Sequence, residues 1–407
     1  MSQVPGGALA GLRVVDLTQM LAGPYCSMLL ADQGADVVKI EPPEGDLTRN
    51  LGPFLESDEA KAFGGYYQSI NRNKRSIVLD LKHDDGKAVL RQLAAEADVV
   101  IENYRVGVME RLELSYESLA AENPRLVYAA VRGFGDPRTG ASPYAEWPAF
   151  DVVAQAMGGI MGITGPDAET PMKIGPGVGD IVPAMLAAVG VLSAVYRAQK
   201  TGEGQFVDVA MYDAVLGLCE RIVYQQSYTG QTPRPEGNAH PLLCPFGIFA
   251  AKDGWVSIAC PRDNFWIILA QCMERPELAE DPRFATNLAR VEHADQVIAL
   301  VDDWSRRHTK AELIEILGGR IPFGPVQGAD EILADPHVAA RQMLASLKPD
   351  GLEESITIAA SPIRMSETPG GVNSAAPGLG QHTDEVLAQA GFDAAEITRL
   401  RGSGAVA

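Results

Sequence analysis

"LRVVDLTQMLAGPYCSMLLADQGADVVKIE", residues 12–41, decides the fold. LRVVDL is a short β-branched run. QMLAGPYCSMLLADQGA reads as a loop and a helix with Pro24 near its start, and DVVKIE as a second buried strand. Two parallel strands joined by a helix imply an α/β sheet. Glu41 ends the second strand, where a dinucleotide-binding fold keeps its ribose-binding acid. The first turn, however, is TQMLAGP, without the G-x-G-x-x-G that lets backbone approach a pyrophosphate. The reading keeps a Rossmann-like architecture and rejects nicotinamide chemistry.

The pattern continues downstream. RSIVLDL, DVVIEN, RLVYAAVRGFG and FVDVAM read as strands. DDGKAVLRQLAAEA, SYESLAAEN, an apolar stretch at 181–199 and YDAVLGLCERIVYQQSY read as helices. After Gly230 the texture turns Pro/Gly-rich, then gives two short strands (GIFAA and WVSIA) and helices to about residue 318. These features predict a large Rossmann-like α/β domain over 1–225 with a parallel sheet, a small α+β domain over 226–325, and a last segment over 326–407 that returns toward α/β texture.

A chain of 407 residues with 46% apolar residues can bury more than one core. Its 34 basic and 53 acidic residues give a net charge of −19. That balance argues against a nucleic-acid partner and requires a local basic patch for any anionic ligand. The five cysteines are scattered without C-x-x-C spacing, which speaks against structural zinc and a disulfide framework. No signal-like start or uninterrupted apolar span is read, so a cytoplasmic protein off the membrane is expected.

"KIGPGVGD", 173–180, places the carboxylate of Asp180 behind a glycine-rich loop at the mouth of an apolar helix. Two readings stand. Asp180 is the N-cap of a helix beginning near Ile181, or it is a functional carboxylate whose approach loop aims N–H groups at developing negative charge. A basic run, Asn71-Arg72-Asn73-Lys74-Arg75, precedes one strand; Asn103-Tyr104-Arg105 follows another, with Arg111 beyond it, and Arg132 ends a third. Such groups can form either a solvated basic face or a site for a phosphorylated small molecule at one sheet edge. The six histidines form no metal-ligand spacing, so no metal is expected; His240, in the Gly237-Asn238-Ala239-His240 loop, is the one singled out, as an ordinary loop histidine or a functional one.

Together the chain resembles the class III CoA-transferases, the CaiB/BaiF family that includes formyl-CoA:oxalate and carnitine CoA-transferases. The resemblance runs from residue 9 to residue 392. It is carried by GADVVKIEPP, NRNKRSIVLDLK, ENYRVGVMERL, NPRLVYAAVRGFG, PAFDVVAQAMGG, the Gly179-Asp180 pair, KTGEGQFVDVAMYDAV and IPFGPV. It implies that Asp180 is a nucleophile that attacks an acyl-CoA thioester, forming a mixed anhydride and then an aspartyl-CoA thioester, before CoA passes to a small carboxylic acid. It further implies CoA contacts at Met20, Leu21, Ala22, Asn71, Lys74, Arg75, Asn103, Tyr104, Arg105 and Arg111, and Arg132 of the basic patch is expected to join them. A loop at Gly237, Asn238 and His240 is implied to shield the intermediates. The resemblance also implies that CoA is part of the substrate, with no permanently bound cofactor, that residues 326–407 complete the large domain, and that two protomers interlock as a homodimer.

The chain departs from the family pattern in the shielding loop, which reads GNAHPLLCPF rather than a run of glycines. It also departs at Val106, Glu113 and Gln381. A racemase of 2-methylacyl-CoA thioesters in the same family is the alternative function. That branch places a histidine before the aspartate of the AFDVV-like motif, where this chain has Phe150, and phenylalanine cannot move a proton.

Overall fold

Residues 6–407 are described here in a computed structural model. The strands are β1 (Arg13–Asp16), β2 (Asp36–Glu41), β3 (Lys74–Val78), β4 (Val99–Glu102), β5 (Val127–Arg132) and β6 (Gln205–Ala210), all parallel in the order β3-β2-β1-β4-β5-β6. Val14 pairs with Val37 on one side and Val99 on the other. The strand order therefore reverses between β1 and β4, and the C-terminal edge there is the expected ligand crevice. The helices of this part are α1 (Ala22–Asp32), α2 (Gly65–Ile70), α3 (Asp84–Glu96), α4 (Val108–Arg111), α5 (Tyr116–Glu122), α6 (Asp151–Met157), α7 (Val178–Thr201), α8 (Met211–Leu218) and α9 (Glu220–Thr229).

Alternation along the strands fills two cores. Val14, Val37, Val99 and Val127 face α1 and α7, against Cys26, Leu30, Ala187, Val191 and Ala194. Val15, Val38, Val100 and Tyr128 face the other way, onto Val89 and Leu90 of α3 and Leu119 of α5. Each Val or Leu so buried contributes about 1.5–3 kcal/mol. The small residues along the inner side of α7 let it sit close to the sheet. With 24 residues α7 is long and apolar enough to cross a membrane by length and composition, but here its buried side is part of this core.

The sequence expectation of one helix from 212 onward is corrected to two. Cys219 leaves helical geometry (ψ 32°), and its N–H is shared between Val215 and Leu216 carbonyls.

Packing divides the described chain into two compact units. The first comprises residues up to Ile160, Lys173–Tyr224 and His337–Ala407; the second comprises Met161–Met172 and Gln225–Pro336. The sequence expectation for the small unit left out 161–172 and stopped at 325. The extra segment is held by a tertiary bond with no local signature, Gly237 N–H to the Gly165 carbonyl at 3.1 Å.

In the second unit, β7 (Phe246–Ala251), β8 (Gly254–Ala259) and β9 (Phe323–Pro325) form an antiparallel sheet. Its helices are α10 (Asp263–Cys272), α11 (Asn287–Glu292), α12 (Ala294–Ser305), α13 (Lys310–Leu317) and α14 (Ala329–Ala334), and α15 (Pro336–Ala340) follows. Trp266, Leu269, Val297, Val301 and Leu313 fill the core under the sheet. The C-terminal return adds the antiparallel pair β10 (Leu344–Leu347) and β11 (Ile356–Ala359), then α16 (Thr383–Gln389) and α17 (Ala394–Ser403). Val386 and Leu400 of these last helices join the core on the α3 face, and Val406 bridges Leu79.

Candidate active site

The turn that carries Asp180 is built by α6 and α7. Helix α7 starts at Val178, two residues before Asp180, with Gly177 in the cap position and no side-chain cap. The N-cap reading of Asp180 is therefore corrected: the carboxylate lies in the first helical turn and is free of a capping role. The carboxylate of Asp151, the first residue of α6, reaches this helix start instead, and its Oδ1 accepts the Gly179 N–H at 2.8 Å. Position 179 must be glycine for lack of space, since a Cβ there would lie 2.5 Å from the Asp151 carbonyl oxygen and 3.1 Å from Ala154 Cβ. One residue before α7, a Cβ on Gly177 would meet Leu21 Cδ2 at 3.1 Å, so the β1–α1 loop borders the same turn.

Burial pushes the Asp180 carboxyl up to about 7, and the neighbouring Asp151 carboxylate adds to the shift. The Tyr66 phenol of α2 is pushed up to about 12 by burial and by the charges of Asp180, Asp46 and Asp151. It stays a neutral O–H donor within the field of the nucleophile candidate. Sequence reading passed over Tyr66, because "GGYYQSI" matches no motif; its one signal was a position directly before the basic run.

The loop of Met20, Leu21 and Ala22 leaves the C-terminal end of β1 and is pinned from three sides. The Asn103 side chain accepts from Gln19 N–H (2.9 Å) and donates to Gln19 O (2.7 Å). Lys39 Nζ donates to Thr18 O at 2.7 Å. Asp46 Oδ1 accepts the Met20 N–H at 3.4 Å, and Met20 sits in the left-handed region with φ 67°. Beneath this loop lies a buried charge network. Lys39 pairs with Asp46 at 2.9 Å, and Lys74 pairs with Asp16 at 3.1 Å. Burial opposes ionisation of Asp16, but Lys74, Lys39 and hydroxyl donors outweigh it and hold the carboxyl well below the usual range. Burial lowers Lys74 to about 8, against the pull of Asp16.

The expectation of one basic patch at a single edge is corrected. The 71–75 run enters β3 at the N-terminal edge of the sheet, and its Lys74 side chain reaches Asp16 under the β1–α1 loop as a buried ion pair rather than an open patch. Asn71 and Lys74 are buried and bonded to each other at 2.8 Å. Arg75 points to the other face, forked on Asp36 and bonded to Glu385 and Gln389 of α16. Arg132 is buried between Glu102 and Asp136.

The C-terminal edge instead holds a cavity of about 290 Å³ lined by residues that include Gln19, Pro42, Lys82, Tyr104, Val108 and Leu112. Lys82 lies in its wall; Arg105 and Arg111 flank the lining residues in sequence. All three are exposed and, among the described residues, form no ion pair. Lys82 was missed as a site residue because it follows the strand rather than standing in the basic run.

Gly237, Asn238 and His240 belong to the second unit. Gly237 has φ 57°, Asn238 O accepts the Ile248 N–H at 3.1 Å, and His240 Nδ1 accepts the Leu242 N–H at 3.1 Å. The loop closes a cavity of about 470 Å³ within that unit, whose lining includes Phe246, Ile248, Val291 and Ile298. Among the described residues no group of three His, Cys, Asp or Glu side chains is placed to hold a metal.

Comparison with known proteins matches residues 9–383 to the sequence model of CoA-transferase family III. A succinyl-CoA:mesaconate CoA-transferase of Haloarcula hispanica is 49% identical over 95% of this chain and 97% of its own length. A succinyl-CoA–D-citramalate CoA-transferase of Chloroflexus aurantiacus is 39% identical over 95% of this chain and 94% of its own. Among solved structures, a CAIB/BAIF family protein of Brucella suis superposes with a TM-score of 0.83 at 36% identity, covering 95% of this chain and all of its own.

Proposed function

The chain belongs to CoA-transferase family III and is a class III CoA-transferase, and on that premise we propose that it moves CoA from succinyl-CoA to a small dicarboxylic acid of the mesaconate type through covalent intermediates on Asp180. The observation that carries the substrate reading is the 49% identity, over nearly the full length of both chains, to a relative named for succinyl-CoA and mesaconate. The observation that supports the nucleophile is the half-buried first-turn position of Asp180 beside Asp151, with its carboxyl raised to about 7.

Ionised Asp180 attacks the thioester carbonyl carbon, the C–S bond breaks, and CoA leaves as thiolate from a mixed anhydride. The thiolate attacks the aspartyl carbonyl, releasing succinate and leaving an aspartyl-CoA thioester. The acceptor carboxylate attacks that carbonyl and expels CoA thiolate, giving a second anhydride. The thiolate then attacks the acyl side, releasing the new acyl-CoA and regenerating Asp180. A carboxylate of raised pKa is the stronger nucleophile, and low hydration protects each anhydride from water. The neutral Tyr66 phenol supplies a donor for the oxygens of the reacting acid. The cavity beside Lys82, with Arg105 and Arg111, suits the phosphates of CoA. No other cofactor is needed by this chemistry.

Phe150 offers no acid or base, and the named relatives are transferases, so the racemase reading gains no support. The loop at Gly237, Asn238 and His240 is proposed to shield the intermediates. A homodimer is proposed, because the outer side of α7 leaves Met185, Leu186, Val189 and Tyr196 exposed in a stripe. The cytoplasm, where acyl-CoA and free acids meet, is the proposed compartment.

The test of the substrate reading is chromatographic. Incubation with succinyl-CoA and mesaconate should yield mesaconyl-CoA and succinate in equal amounts. Turnover of succinyl-CoA with none of a panel of C4 and C5 dicarboxylates would contradict it.

A further inference from the structure

We propose that Gln155 is a positioning residue that clamps both ends of the glycine-rich lead into α7, fixing Asp151 and, through Gly179, the direction of Asp180; this rests on Asp180 being the nucleophile. Gln155 is fully buried in α6. Its Nε2 donates to both oxygens of Asp151, at 3.0 and 2.9 Å. Its Oε1 accepts the Ile174 N–H at 2.9 Å. Asp151 Oδ1 in turn accepts the Gly179 N–H at 2.8 Å. One amide thus ties Ile174, where the lead-in begins, to Gly179, where it ends.

The stretch between those ends has little packing of its own. Gly175 and Pro176 are exposed, and a Cβ on Gly175 would meet nothing within 4 Å. Its course is therefore set by its anchored ends. The clamp needs a donor toward a carboxylate and an acceptor toward a backbone N–H from the same buried side chain, and that pair of partners fixes the orientation of the amide. Leucine can do neither. A glutamate can do both only while protonated, with its O–H donating to Asp151 and its carbonyl oxygen accepting from Ile174. Once ionised it repels Asp151. The other titratable groups about Asp151 are Asp180 on α7 and Tyr66 on α2, with Asp46 also acting on Tyr66.

The experiment compares wild type, Gln155→Leu and Gln155→Glu in kcat, KM for acyl-CoA, melting temperature and formation of a CoA adduct, across acid to alkaline pH. For Gln155→Leu the expected loss is about a hundredfold in kcat with KM little changed, since misdirecting a reacting group by about an ångström costs that much. For Gln155→Glu the expected rate relative to wild type is near one at acid pH and falls steadily as the introduced carboxyl ionises. A role in stability alone lowers the melting temperature and leaves that ratio flat with pH. Wild-type kcat in Gln155→Leu, or a flat ratio in Gln155→Glu, overturns the proposal. Should Gln155→Leu fail to fold, the ratio in Gln155→Glu decides alone. A wild-type adduct on Asp180 with unaltered variants defeats only the clamp. No adduct on wild type defeats the nucleophile reading and the clamp with it.

Discussion

The Gly179 N–H lies 2.8 Å from Asp151 Oδ1, so the residue beside the nucleophile candidate is hydrogen-bonded to the carboxylate that helps raise its pKa. One contact joins the start of α7 to the start of α6. It explains why the lead into Asp180 ends in a glycine and why two carboxylates sit close together in a half-buried turn.

Gly177 and Gly179, two of the three glycines before Asp180, are expected to respond differently to a methyl group. Gly179→Ala drives Cβ against the Asp151 backbone oxygen at 2.5 Å, which cannot yield cheaply, so CoA-transfer activity should fall by about a hundredfold or more. Gly177→Ala meets the end of the Leu21 side chain at 3.1 Å, which can turn aside, and most activity should remain. Steady-state assays of the two purified variants decide this; equal losses would contradict the packing argument.

Asp151→Asn removes a negative charge beside Asp180 and leaves burial in place. The Asp180 carboxyl should then titrate below about 7 yet above its ordinary value. Because attack requires the ionised form, the acid limb of the rate profile should move to lower pH. A limb that stays put or rises would mean that Asp180 does not govern it.

Asp180 also sets a trade between stability and function. Its carboxyl is raised in the folded state, so the stability it contributes is fully present below about pH 4 and is lost as pH rises through about 7. Asp180→Asn carries no charge at any pH. Its stability gain over wild type should therefore grow by about 2 kcal/mol between acid pH and the plateau above the folded pKa, roughly half of what the full shift implies because the side chain keeps some solvent contact. Denaturant titrations at several pH values measure it; a gain independent of pH would refute the assignment.

Lys82→Ala and Arg111→Ala should raise KM for acyl-CoA by about tenfold each, with kcat near wild type, as expected for loss of a phosphate contact. Arg75→Ala should leave KM unchanged, because Arg75 is held by Asp36 and Glu385 toward the N-terminal edge of the sheet, away from that cavity. A KM effect at Arg75 equal to that at Lys82 would contradict the cavity at the C-terminal edge as the CoA site.

That contrast also shows what the sequence could and could not convey. The βαβ pattern at 12–41 and the β-branched runs that follow it carried the parallel sheet, because strand burial writes itself into local composition. Asp180 stood out for the same reason, as a lone carboxylate against an apolar run. The exact helix start was not visible, since Val178 and Gly179 look like loop residues until Asp151 is placed beside them. Spacing grouped Asn71, Lys74 and Arg75 with Asn103 and Arg105, although only the sheet's direction tells which strand end faces which edge. Tyr66, Asp151, Gln155 and Lys82 acquire meaning only through partners far away in sequence, such as Ile174 for Gln155, and no local pattern encodes those pairings.

The proposed transfer depends on covalent catalysis at Asp180. The most direct measurement is mass spectrometry of the protein after brief exposure to succinyl-CoA, followed by peptide mapping. A CoA-sized, hydroxylamine-labile adduct is expected on the peptide containing Asp180 in wild type, and none in Asp180→Ala, which should still bind CoA. Unmodified wild-type protein during active turnover, or an Asp180→Ala variant that turns over, would contradict it.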